Sequence, residues 1–152
     1  MSERDRFSSV DFPRVPAVLE AQVPDKVVHR NVLGGNDAAF SAERQHPVAL
    51  VDLPSRVLSM TIGGLKPGQT SRLHRHNYET LIYVTAGRGW SRIGSHRVEW
   101  QAGDALYVPV WAWHQHGNTG DQDATYVACE NAPVLQSFGV ALREEADAEE
   151  TR

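Results

Sequence analysis

From Arg56 to Glu130 the chain is a succession of short runs with strand character, each closed by a turn signal. Arg56 to Ile62 (RVLSMTI) is apolar and partly β-branched, and Gly63-Gly64 breaks it before a turn at Lys66-Pro67-Gly68. Further strands are predicted over Gln69 to His76 and over Thr80 to Thr85, the latter ended by Ala86-Gly87. Gly89 to Ile93 and His96 to Trp100 read as a hairpin around Gly94-Ser95. Gly103-Asp104 turns into Ala105 to Val108, with Asp104 a structural turn residue, and Thr125 to Glu130 is a late strand. Short strands at this spacing predict an all-β sandwich or barrel. A C-terminal helix is expected over Gln136 to Glu145.

A chain of 152 residues accommodates one domain with a real core. We divide it into an N-terminal arm with edge strands (1–45), a barrel (46–135) and a C-terminal helix with an acidic tail (136–152). The first 25 or so residues, polar and carrying Pro13, Pro16 and Pro24, are expected to form an arm that packs on a partner subunit. Net charge is −4 without a basic patch, which argues against a nucleic-acid partner. No apolar run approaches the ~20 residues that span a bilayer, and the N-terminus has no apolar signal core. The single cysteine, Cys129, reads as a small apolar strand residue and fits a reducing compartment. A cytoplasmic protein is expected.

The chemistry is concentrated in histidines. His74, Arg75 and His76 read H-R-H, and on a strand two residues at i and i+2 point to the same face. His114 and His116, in W-H-Q-H, share one parity in the same way. Three of these four imidazoles suffice for one face of a metal's coordination sphere, with the fourth beside the open positions as a base or acid. His29, His46 and His96 lie outside these patterns and read as surface or packing residues.

With these spacings the chain resembles the cupin superfamily. Gly68-x5-His74-x-His76-x3-Thr80-x6-Gly87 is similar to the first cupin motif, G-x5-H-x-H-x3,4-E-x6-G. Gly103-x5-Pro109-x-Trp111-x2-His114-x3-Asn118 is similar to the second, G-x5-P-x-G-x2-H-x3-N. The resemblance covers roughly residues 56 to 131 and implies a double-stranded β-helix (jelly-roll barrel), often a homodimer, with a divalent transition metal held by His74, His76 and His114. Two positions depart from the pattern. Thr80 stands where the family has a glutamate ligand, so either a bulge turns the neighbouring Glu79 inward or the site has three histidines and no carboxylate. Trp111 stands where the motif has glycine, and P-V-W-A-W-H-Q-H-G-N resembles the P-x-W-x-W-H-x-H-G-N of gentisate and salicylate ring-cleaving dioxygenases. Those enzymes are bicupins of about twice this length that hold Fe(II) with three histidines and no glutamate.

The resemblance implies a non-haem Fe(II) dioxygenase acting on a small aromatic or chelating acid, with His116 as the catalytic histidine. Mn, Ni, Zn and Cu suit three imidazoles as well as Fe(II) does. Thr80 and Ile82 follow the first motif's ligands toward the substrate, and Trp111 is expected to wall the pocket; Trp113 is expected to pack in the core. Ile82 occupies the position where the ring-cleaving enzymes carry an arginine. Arg72 shares the parity of His74 and either faces the cavity to hold an anion or pairs at the rim. Two other readings compete: a lyase or isomerase using the metal as a Lewis acid, and a barrel that binds a small molecule without catalysis. Leu81 and Tyr83 alternate onto the outer face and make a homodimer the expected assembly, which a monomer by light scattering would refute.

Overall fold

The computed structural model of the protein describes residues 20–35 and 38–147. The arm read over the first residues lies outside this range up to residue 19, as does the tail from residue 148. In the described part of residues 1–45 there is no edge strand. A short 3-10 turn (Val32–Gly34) and helix α1 (Ala38–Arg44) lead instead into the first strand, β1 (Val48–Leu50).

Nine further strands follow: β2 (Ser59–Leu65), β3 (His74–His76), β4 (Thr80–Ala86), β5 (Arg88–Ile93), β6 (His96–Gln101), β7 (Ala105–Val108), β8 (His114–Asn118), β9 (Ala124–Glu130) and β10 (Arg143–Glu145). They form two five-stranded antiparallel sheets, ordered β1-β2-β9-β4-β7 and β10-β3-β8-β5-β6. This is the expected all-β jelly-roll architecture. The sheets pack face to face: Ile93 of β5 lies against Ile82, Val108 and Ala128, and Trp100 of β6 joins Val84 and Ala124. In β4 the period-2 alternation is complete, with Thr80, Ile82 and Val84 buried and Leu81 and Tyr83 exposed at 62% and 52%.

Three local expectations are corrected. Gly63-Gly64 does not break β2, which continues to Leu65 opposite β9. Gly63 faces Tyr126 across the ladder, and a Cβ there would lie 2.3 Å from the Tyr126 ring, so glycine makes room for a phenol inside the barrel. The stretch from Gln69 to His76 is regular only at its end. Its first part stays bonded to β8 through Ser71 N–H to His116 O (2.8 Å) and Asn118 N–H to Gln69 O (3.0 Å). The helix expected over Gln136 to Glu145 is instead α2 (Ala132–Ser137), which carries Pro133 in its first turn and gives way to Gly139 at φ 71°, a conformation glycine adopts without a Cβ clash. The freed chain returns as β10 and pairs with β3, Arg143 opposite His76 and Glu145 opposite His74.

Candidate metal centre and its cavity

β3 and β8 are neighbours, and His74 stands directly opposite His114. The two strands thereby bring three imidazoles into one cluster, with ring centroids 4.1 Å (His74–His114), 4.7 Å (His76–His114) and 5.7 Å (His74–His76) apart. One ligand nitrogen from each ring lies within 4.8 Å of the others. The other ring edge is anchored to the backbone. Nδ1 of His74 bonds Arg72 O at 2.9 Å, that of His76 bonds Tyr78 O at 2.8 Å, and that of His114 bonds Ala112 O at 2.8 Å. A carbonyl only accepts, so each Nδ1 carries the proton and each Nε2 lone pair is left for a metal.

Burial, reinforced by the neighbouring imidazoles, disfavours the charged form. It lowers His76 to about 4 and His114 to about 3, and holds His74 far below the ordinary histidine range. At neutral pH the cluster is three neutral donors in the ligating tautomer, which fits a divalent transition ion. Glu79 is exposed and accepts the Tyr107 hydroxyl at 2.5 Å, so the position next to the family's carboxylate ligand contributes nothing to this cluster.

Arg75, between the two ligands of H-R-H, is clamped on the outer side. Its guanidinium lies 4.5 Å from the ring centroids of both Trp111 and Trp113 and pairs with Glu144 at 2.6 Å. Trp111 N–H also bonds His76 O at 2.7 Å. Trp111 therefore does not wall the cavity as expected; it stacks on the arginine that stiffens the ligand strand. It does so at φ 63°, the left-handed conformation that explains a glycine at this motif position. Glycine here would relieve a penalty of about 1 kcal/mol while losing a stack worth about 0.5–1 kcal/mol. We expect Trp111→Gly to be nearly neutral in chemical denaturation and Trp111→Val, which keeps the strain and loses the stack, to cost about 1 kcal/mol. Equal stabilities for the two variants would contradict this account.

His74 opens onto a cavity of about 70 Å³, room for several waters. His74, His116, Thr80 and Ile82 line it. His116 is fixed from behind: Trp100 Nε1–H donates to Ser91 Oγ at 2.8 Å, and Ser91 Oγ lies 2.6 Å from His116 Nδ1. Burial lowers His116 to about 4, so it is neutral at neutral pH. Arg72 does not face this cavity. It pairs with Glu145 at 3.6 Å and borders a separate surface hollow with Trp90 and Gln115.

Several cavity residues lie outside the motifs: Arg44, His46, Tyr126, Glu130 and Arg143. Burial raises Glu130, which accepts the Thr80 hydroxyl at 3.2 Å, and raises Tyr126 beyond the ordinary phenol range. Strand parity carried a signal for two of them, because Tyr126, Ala128 and Glu130 share one face of β9. His46, an isolated histidine, had no such pattern. Arg143 sat in a segment read as helix. A larger apolar groove of about 430 Å³ runs along β1, β2 and β9, but its Lys66 and Asp123 neutralise each other at 2.6 Å and it holds no histidine. Among the described residues no helix is long and apolar enough to cross a membrane.

Residues 62–129 match the model of the cupin domain. A 5-aminosalicylate 1,2-dioxygenase from Comamonas sp is 36% identical over 82 residues, covering 54% of this chain and 21% of that protein. Gentisate 1,2 dioxygenase 1 from Aquipseudomonas alcaligenes is 30% identical over 94 residues, covering 59% and 27%. The chain thus corresponds to a minor part of the length of the curated relatives it matches. Among solved structures, a salicylate 1,2-dioxygenase from Pseudaminobacter salicylatoxidans shares the fold, with a TM-score of 0.64, 24% identity and coverage of 72% of this chain and 35% of that one.

Proposed function

We propose that the protein is a mononuclear non-haem Fe(II) dioxygenase acting on a small hydroxylated aromatic acid at the three-histidine centre of the part that matches the cupin domain. The observation that carries the reading is the set of three neutral imidazoles, each fixed through Nδ1, with no carboxylate among the described residues completing the ligand cluster. The relatives that match the cupin part are named as dioxygenases of gentisate and 5-aminosalicylate, which supports the substrate class.

A bound Fe(II) ion would supply adjacent open positions for a chelating substrate and O2 and a route for electrons between them. The chain's own residues do the rest. His74, His76 and His114 would hold the ion without adding charge, so a chelating anion would be favoured by the ion's whole positive charge. His116, held at Nδ1 by Ser91, turns its other ring nitrogen to the cavity and accepts or donates a proton at the substrate hydroxyl. Ile82, 5% exposed, gives the ring an apolar wall and helps to exclude water.

The test is oxygen uptake by anaerobically Fe(II)-loaded protein against a panel of hydroxybenzoates, gentisate and catechols. Uptake with at least one of them is expected, accompanied by ring-opened product. None at full iron occupancy removes this reading. A Lewis-acid lyase or isomerase is the second reading, favoured by the buried Glu130 carboxyl in the same cavity as His116. Turnover that survives zinc substitution and the absence of O2 would select it, and strict O2 dependence would exclude it.

A further inference from the structure

We propose that Arg143 on β10 and Arg44 on α1 form the anion-binding wall of the histidine cavity and select a ligand bearing a carboxylate. The inference deepens the reading above and rests on it for the aromatic class of the ligand. Arg44 and Arg143 both line the cavity, beside the Glu130 carboxyl whose charged form burial disfavours, and both come from outside the matched cupin residues 62–129, one from each flank of the barrel. The barrel itself supplies no cation from β4 at the position where the resemblance expects one, because Ile82 is buried there against Val108 and Ala128.

Arg143 is held in place before any ligand arrives. β10 pairs with the ligand strand, Arg143 opposite His76. Asn77, the residue after His76, clamps the incoming chain: its Nδ2 donates to Val140 O at 2.8 Å and its Oδ1 accepts from Leu142 N–H at 2.8 Å. Glu145 Oε1 takes Nε–H and one Nη2–H of Arg143, at 2.9 and 2.8 Å. A guanidinium has five N–H donors, so three remain beyond this carboxylate, and the Tyr78 hydroxyl engages one of them. Glu145 does not cancel the charge outright, since its other oxygen faces Arg72 at 3.6 Å. Arg44 is steadied by its stack over Phe40, 4.7 Å to the ring centroid, and its contact with Glu43 is long at 4.0 Å. The two arginine side chains are only 20% and 21% exposed, so an anion between them is poorly screened by solvent. A planar carboxylate matches the fork of such a guanidinium better than a neutral group does.

The experiment uses the full chain loaded with Zn(II), which binds the histidines without redox turnover, titrated calorimetrically with salicylate and with its neutral isostere salicylamide. Wild type is expected to prefer salicylate. Removing Arg143 alone would strand Glu145, so the variant is Arg143→Gln with Glu145→Gln. It is expected to bind salicylate about 10- to 100-fold more weakly and salicylamide almost unchanged. Arg143→Lys should recover part of the loss, and Arg44→Gln, on a separate element, should weaken salicylate about 3- to 10-fold. The proposal is overturned if wild type binds neither compound, if it binds both equally, or if the folded, metal-loaded variants bind salicylate as wild type does. The measurement needs neither O2 nor turnover. Arginine-dependent salicylate binding with no oxygen uptake would therefore sink the dioxygenase reading and keep the anion wall. Uptake with unaltered affinity in the variants would do the reverse.

Discussion

Replacing His114 by alanine is expected to empty the metal centre. The variant should bind a divalent transition ion at least about 100-fold more weakly than wild type, because the loss of a direct ligand exceeds that of an outer-sphere partner. His114 stands closest to both other rings, 4.1 Å from His74 and 4.7 Å from His76, whereas those two are 5.7 Å apart. Without it two donors remain, anchored to carbonyls and unable to converge further. Elemental analysis of natively purified protein and competition with a chromophoric chelator measure the loss. His96→Ala, at an exposed hairpin position, is the control that should retain metal. A stoichiometric metal in the His114 variant would contradict the ligand assignment.

The second large effect is acid lability of the metal-free protein. An unfolded chain protonates its histidines near pH 6.5, whereas burial holds His76 and His116 at about 4 and His114 at about 3 in the folded state. Below pH 6.5 the unfolded state thus binds more protons, and stability falls as pH drops toward 4. By the bottom of that window each imidazole has cost on the order of 3 kcal/mol, so two or three match the whole stability of an ordinary domain. His46, also lowered mainly by burial, adds in the same direction. A bound ion competes with the protons for Nε2 and stabilises only the folded state, so loading with Zn(II) should move the acid midpoint down. Denaturant midpoints at pH 7.5, 5.5 and 4.5, with and without Zn(II), test this. A flat apo-protein profile between pH 7 and 5 would show that the cluster is not buried as described.

The histidine centre was legible because its signals are local. His74 and His76 share a face by strand parity, as do His114 and His116, and the turn residues between them set which strands exist. The same parity placed Thr80 and Ile82 inward and Leu81 and Tyr83 outward. Parity also reached too far at Arg72, because the irregular stretch before β3 does not keep a strict two-residue repeat into the cavity. Trp111 misled for a different reason: its left-handed backbone turns the ring onto Arg75, a contact that sequence spacing does not encode.

By itself the sequence determined most strands from β2 to β9, the two histidine pairs and the absence of a glutamate at position 80, since each depends on neighbours a few residues apart. Only the tertiary structure decided that Glu79 stays outside, that Ser91 and Trp100 stand behind His116, and that Arg44, Glu130 and Arg143 line one cavity with His74. Those choices follow from which strands pair across the order β10-β3-β8 and from how the two sheets close on each other. Such pairings join residues far apart in the chain and are selected by the burial and hydrogen bonding of the whole barrel, which no short window of sequence contains.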